Sequence, residues 1–114
     1  MKQILNLGSE AQQRHTIIFE ESEIVLILRY LAPVQQWFFS VEYNNFNVHN
    51  VKLSVGVVHI LSKNQPFDFV VTDNSGAGID PFSLDDFASG RCSLFMLEPN
   101  DMFDIRGVDV TNEI

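Results

Sequence analysis

The chain has 114 residues, 46% of them hydrophobic, with one cysteine and a net charge of −8 from 7 basic and 15 acidic side chains. That length supports one domain with a core of its own, needing no metal or disulfide to fold, and the composition excludes a disordered chain. The negative sign disfavours nucleic-acid backbones and anionic lipid as partners, and suits either plain solubility or a basic protein partner.

In chain order, residues 2–7 read as a short extended arm, with one basic residue and too brief an apolar run for a signal peptide. Residues 14–19 alternate His15, Ile17 and Phe19 against Arg14, Thr16 and Ile18, the period of a half-buried strand. Glu20-Glu21-Ser22 is a polar turn. Residues 23–31 are apolar on both faces at their centre, Ile24, Leu26 and Leu28 against Val25 and Ile27, which predicts a central strand covered on both sides. Its longest apolar run, 24–28, is far below membrane-spanning length, and Pro33 ends it.

Residues 35–43 alternate cleanly, with Trp37, Phe39, Val41 and Tyr43 on one face and Gln36, Ser40 and Glu42 on the other. Asn44-Asn45 then suits a tight hairpin, since both tolerate a positive φ. A short return strand is expected over 46–49 and another over 51–61, where Val51, Leu53, Val55 and Val57 share a face and Gly56 marks a bulge or close approach. After the turn at Asn64-Gln65-Pro66, residues 67–72 keep Phe67, Phe69 and Val71 in step. A loop rich in Gly, Asn and Ser occupies 73–80. Ser83-Leu84-Asp85-Asp86 has capping-box spacing, which predicts a short helix near 83–89 that stops at Gly90. Residues 92–97 form a last strand. The expected fold is mainly β: a small antiparallel sandwich or barrel of about seven strands with that one helix. A single β domain over 1–98 precedes an acidic C-terminal extension over 99–114, which is a further strand, a clasp on a partner or loose chain.

Chemistry is sparse on this chain. Cys92 lies in a strand-like run and reads as a buried, inert thiol, in keeping with a reducing cytosol. His15, His49 and His59 lack zinc spacing. The 73–84 stretch fails as a calcium loop, with Ala77 at position five and Leu84 where a bidentate acid is needed. Gly76-Ala77-Gly78 is no dinucleotide fingerprint, no serine sits in a nucleophile elbow, and the paired acids Glu20 and Glu21, or Asp85 and Asp86, read as turn and capping groups. No cofactor, no metal and no enzyme activity are expected.

Several pieces recur in a recognisable order: Ile4-Leu5-Asn6-Leu7, then Gln13-Arg14 and a strand, a second strand ending Leu28-Arg29-Tyr30, and the Trp37 hairpin. Gly56 and Ile60-Leu61 follow, then the Phe-rich strand, Asp80-Pro81, Asp85-Asp86-Phe87 and a closing Leu97-Glu98-Pro99. Over about residues 2–98 this layout resembles the baseplate plug family of contractile-tailed phages, typified by the plug of a cyanophage baseplate. The resemblance implies a structural virion component without enzyme activity, near the tail axis among other baseplate, hub and tube proteins. It further implies symmetric assembly, in the host bacterial cytoplasm, with neither nucleic acid nor membrane as partner. On that reading the partner contacts are Asp80, Pro81, Asp85 and Asp86 in the turn, and Asp101, Asp104 and Asp109 in the acidic tail, although the first four serve equally well as local caps. The competing reading is a small-molecule or carbohydrate-binding β module with Trp37, Phe39 and Tyr43 lining a pocket, although their shared face with Val41 suits a core.

Overall fold

The computed structural model describes residues 1–60 and 65–101. Its strands are β1 (Lys2–Gln3), β2 (Gln12–Phe19), β3 (Ser22–Leu31), β4 (Gln36–Tyr43), β5 (Phe46–Lys52), β6 (Asp68–Asp73) and β7 (Cys92–Leu97). They form two antiparallel sheets, one in the order β2-β3-β4-β5 and the other β1-β7-β6. The larger sheet is a meander: each strand pairs with the next because each connection is too short to reach any other neighbour. Of the sandwich or barrel expected from the spacing, the two sheets correspond to the small sandwich.

Alternation decides what lies between the sheets. Ile17 and Phe19 from β2, Ile24, Leu26 and Leu28 from β3, and Trp37, Phe39 and Val41 from β4 are all buried. They meet Phe67 and, from the smaller sheet, Phe69, Val71, Leu94 and Met96. Aromatic rings carry the contact across the layers: Phe39 lies 5.8 Å from Phe69, Phe19 5.9 Å from Phe67 and Tyr43 5.2 Å from Phe67, all edge-to-face. That arrangement sets the positive rim of one ring against the negative face of the next.

Three expectations need correction. The outer face of β3 is not covered: Val25 and Ile27 remain half-exposed, as does Phe38 beside them on β4. The segment 51–61 is no strand of its own. β5 runs through to Lys52 over a bulge, where two residues, His49 and Asn50, oppose Ser40 alone. Asn50 takes φ 56° there, and its N–H donates to Ser40 Oγ at 3.0 Å. Beyond Leu53 the chain leaves the ladder, because side-chain acceptors outcompete it for the backbone. Asp80 takes the Val55 N–H, while Asp68 Oδ1 takes those of His59, Ile60 and Phe69 at 2.7–2.9 Å. Gly56 turns at φ 79°, which a β-branched neighbour would resist, and Val57 ends up exposed rather than in step with Leu53. Leu61 and Asn64 lie outside the described residues. Finally, residues 84–90 wind as consecutive turns rather than a regular helix, and helical backbone appears instead at 99–101.

The β2–β3 connection, like β4–β5, is a two-residue hairpin loop. Phe19 pairs with Ser22, so Glu20 and Glu21 alone make the turn, at φ 50° and 67°. Two left-handed residues match the twist of a hairpin, but each costs a residue with a Cβ about 1 kcal/mol. Replacing them with the pair that prefers this geometry, Glu20→Asn with Glu21→Gly, is expected to stabilise the protein by about 1 kcal/mol and raise the melting temperature by roughly 4 °C or more, read by calorimetry.

Candidate functional site

The residues that punctuate the sequence, Tyr30, Trp37, Asp80, Pro81, Asp86 and Phe87, converge on one feature: the long β6–β7 connection, residues 74–91. The larger sheet holds it from below. The Trp37 indole N–H donates to the Ser83 carbonyl at 2.9 Å, and its ring packs edge-on against Phe87 at 5.4 Å. Tyr30, opposite Trp37 in the ladder, donates its hydroxyl to the Phe82 carbonyl at 2.9 Å. Two rings from adjacent strands thus fix two successive carbonyls of the loop.

Asp86 shapes the turn. Its Oδ2 accepts the N–H groups of Phe82 and Ser83 at 2.7 and 2.8 Å, which is the acid half of the capping box read from the sequence. The hydroxyl half is not made, since the Asp86 N–H donates to the Ser83 backbone carbonyl and the Ser83 hydroxyl donates to Asp85. The turn then closes with Ser89 N–H on the Asp85 carbonyl, and Gly90 at φ 87° stops it.

Arg91 locks the whole connection. Its Nε and Nη2 grip both oxygens of Asp86 at 2.9 Å, the bidentate geometry that suits a guanidinium to a carboxylate. Nη1 donates to the Ile79 carbonyl and lies 3.3 Å from Asp73 Oδ1, while Nη2 also reaches the Asp80 carbonyl. The guanidinium sits 5.0 Å from the centroid of the Phe82 ring. These bonds, the pair with Asp86 foremost, raise the Arg91 pKa above its ordinary value. Burial pushes the Asp86 carboxyl up, but the donors from Arg91, Ser83 and Phe82 outweigh it and leave the pKa lowered. Asp73 is held at about 2 by the Ser75 hydroxyl first, then by the Ile79 N–H. Asp80 is lowered as well: burial opposes its charge, but the Val55 N–H and Lys52 prevail.

Each candidate contact now has a place. Asp80 and Asp86 spend their carboxylates inside the chain, Pro81 is buried, and Asp85 points outward. Around Asp85 the loop exposes Ile79 (49%), Phe82 (48%) and Leu84 (39%). Asp101 belongs to a different cluster, where it meets the Met1 ammonium at 2.7 Å and the Glu98 N–H at 3.0 Å. Asp104 and Asp109 lie outside the described residues. Sequence reasoning missed Arg91; its only signal was an arginine placed between an acid-rich loop and the last strand.

The other candidates take structural positions. Trp37 and Phe39 are core residues, and Tyr43 lies at a cleft beside Asn44 and Pro66. His59 is engaged at both ring nitrogens, with the Ser54 N–H and the Phe69 carbonyl. Burial pushes the Cys92 thiol up to about 11. Among the described residues no three His, Cys, Asp or Glu side chains are grouped to hold a metal ion. The site therefore offers a partly apolar projection held by bonds within the chain.

A family model described as "Cyanophage baseplate Pam3 plug gp18" matches residues 1–99 of the chain. No curated protein matches it.

Arg91→Met keeps the stem but strands two carboxylates. It is expected to cost about 3 kcal/mol in urea unfolding, below the upper figures for a fully enclosed pair because the Arg91 side chain stays 20% exposed. Arg91→Lys recovers only part of this, since an ammonium cannot bind Asp86 at two points. The acid response follows from Asp73 and Asp86. Both have folded pKa values below their ordinary ones, so their contribution is complete above about pH 4 and is lost as pH falls toward 2. Trp37, the only tryptophan, reports it: its emission is expected to shift to the red over that range.

Proposed function

The chain belongs to the cyanophage baseplate plug family, and we propose that it works as a plug near the tail axis, held by hub and tube proteins in a symmetric assembly and transforming no substrate. A structural role in a phage tail baseplate follows from the family itself; the position and neighbours are our reading. The match across residues 1–99 carries it, and the β6–β7 connection supports it. That connection is fixed by bonds within the chain, and it exposes Ile79, Phe82 and Leu84 around Asp85. An apolar cluster with a charged rim is the usual anatomy of a protein contact. Asp85 is then the acid that faces a partner, while Asp80, Pro81 and Asp86 hold the loop in shape. The family match stops at residue 99, which supports treating 1–98 as the domain and the remainder as an extension.

Mass spectrometry of purified virions of the phage that carries this chain is expected to find it, and image reconstruction of their tails to place it on the axis. Absence from virions overturns the proposal. Ile79→Asp with Leu84→Asp leaves the core untouched, and is expected to cut incorporation into tails at least tenfold with the melting temperature little changed. Wild-type incorporation of that variant would remove the loop from the interface.

A further inference from the structure

The outer face of the larger sheet carries a pattern that the core does not explain. Along β3 its outward side chains read Glu23, Val25, Ile27 and Arg29: an acid, two aliphatics and a base. Register extends the pattern to the neighbouring strands. Glu42 of β4 stands opposite Val25, toward the acidic end, and Arg14 of β2 stands opposite Ile27, toward the basic end. Phe38 pairs with Arg29 and is partly exposed, as are Val25 and Ile27.

Charges of one sign are therefore gathered at each end of the face. A sheet can satisfy such groups by setting opposite charges on facing positions, and like charges brought close destabilise it. This sheet keeps them apart. Glu23, Glu42, Arg14 and Arg29 are all exposed, and none forms an ion pair among the described residues. The Arg29 guanidinium donates to Asn50 Oδ1 instead, at 3.3 Å.

Such a face is complementary to itself. Turned over about an axis that crosses the strands at Leu26, it meets a second copy with β3 antiparallel to β3. Glu23 then falls on Arg29 of the second copy, and Val25 on its Ile27. An axis along the strands would set Glu23 on Glu23, so the charges select the antiparallel arrangement. Stacked sheets lie about 10 Å apart with their strands within about 30° of each other, a gap that a glutamate and an arginine close from opposite sides. Four strands spaced at about 4.8 Å, with eight residues at about 3.4 Å each, give a face of roughly 500 Å². Two such faces total about 1,000 Å², the size at which specific interfaces begin.

We propose that the outer face of the β2-β3-β4-β5 sheet is a contact between two copies of this chain, related by a two-fold axis at Leu26. Val25 and Ile27 form its centre, and a Glu23–Arg29 pair closes it at either end. Charge pairs at the rim of an apolar centre fix the register and exclude wrong partners. The inference uses no part of the baseplate reading, so each can fail without the other.

Sedimentation equilibrium on the full chain tests it. The wild type is expected to approach twice 13.0 kDa at sub-millimolar concentration. Glu23→Arg and Arg29→Glu change exposed positions and leave the core untouched. Each alone sets like charges together at both ends of the contact, and is expected to weaken dimerisation by about tenfold or more with the circular dichroism spectrum unchanged. An equal mixture of the two variants restores opposite charges at both ends, and is expected to regain the wild-type dimer. That recovery also shows both variants to be folded. A wild type that stays at 13.0 kDa, single reversals that leave the dimer intact, or a mixture that remains monomeric overturns the proposal.

Discussion

The conformation of the β6–β7 connection depends on one cation. The Arg91 guanidinium touches Asp73 where the connection begins, the Ile79 and Asp80 carbonyls at its middle and Asp86 near its end. Because a guanidinium is planar and its donors diverge at fixed angles, it ties these points in one plane. Eighteen residues of loop would otherwise be free to wander at considerable entropic cost to any contact they make. Neither Trp37 nor Tyr30 could substitute, since each holds a single carbonyl from below and leaves the loop's outer half unrestrained.

The same economy recurs where the chain enters and leaves β6 and β7. Asp68, Asp73, Asp80, Asp86 and Asp101 each accept at least one backbone N–H that no ladder or helix satisfies. A charged acceptor makes a stronger bond to an amide than a neutral one does, and irregular backbone leaves many amides needing an acceptor. This changes the meaning of the net charge of −8. A large share of the acids is local scaffolding, with carboxylates turned inward or along the chain, and the total is a poor guide to the sign of any partner. Asp85, exposed beside Leu84, is the exception on the β6–β7 connection.

What the sequence disclosed and what it hid follow from the range of the signals. Alternation is a local property, and it placed β2, β3, β4, β6 and β7 within a few residues and chose the buried face of β4 correctly through Tyr43. The reading of Cys92 as a buried thiol also rested on local context, and its side chain is buried. Period alone misread 51–61, because Val51, Leu53 and Val55 look like a strand until Asp68 and Asp80, from 8 to 25 positions away, claim the amides of Val55, His59 and Ile60. The capping box at Ser83 was visible, but a helix was not the outcome. Its acid is shared with Arg91, and Trp37 and Tyr30 hold the Phe82 and Ser83 carbonyls outside a helical path. The candidate site was half legible: Asp80, Pro81, Asp85 and Asp86 mark the loop, while the residue that organises it carries no motif and is recognised only by what it touches.

On the function proposed above the chain is a part held by its neighbours, and such a part has a particular thermodynamic requirement. Its contact surface must be in place before the contact forms, since ordering a loop during association subtracts directly from affinity. Helices and strands meet that requirement by repetition, but they present one flat face. A loop presents a shaped knob, and must find its rigidity elsewhere. Here it comes from a chain of short polar bonds: Trp37 and Tyr30 on the carbonyls, Asp86 on the amides, Arg91 across the middle. The exposed Ile79 and Leu84 side chains contribute little to that frame, so evolution is free to change them to fit a neighbour without unsettling the fold, whereas the Phe82 ring also lies against Arg91. The division of labour within a dozen residues, polar groups for shape and apolar groups for contact, is what a small assembly protein needs from a connection that would otherwise be slack.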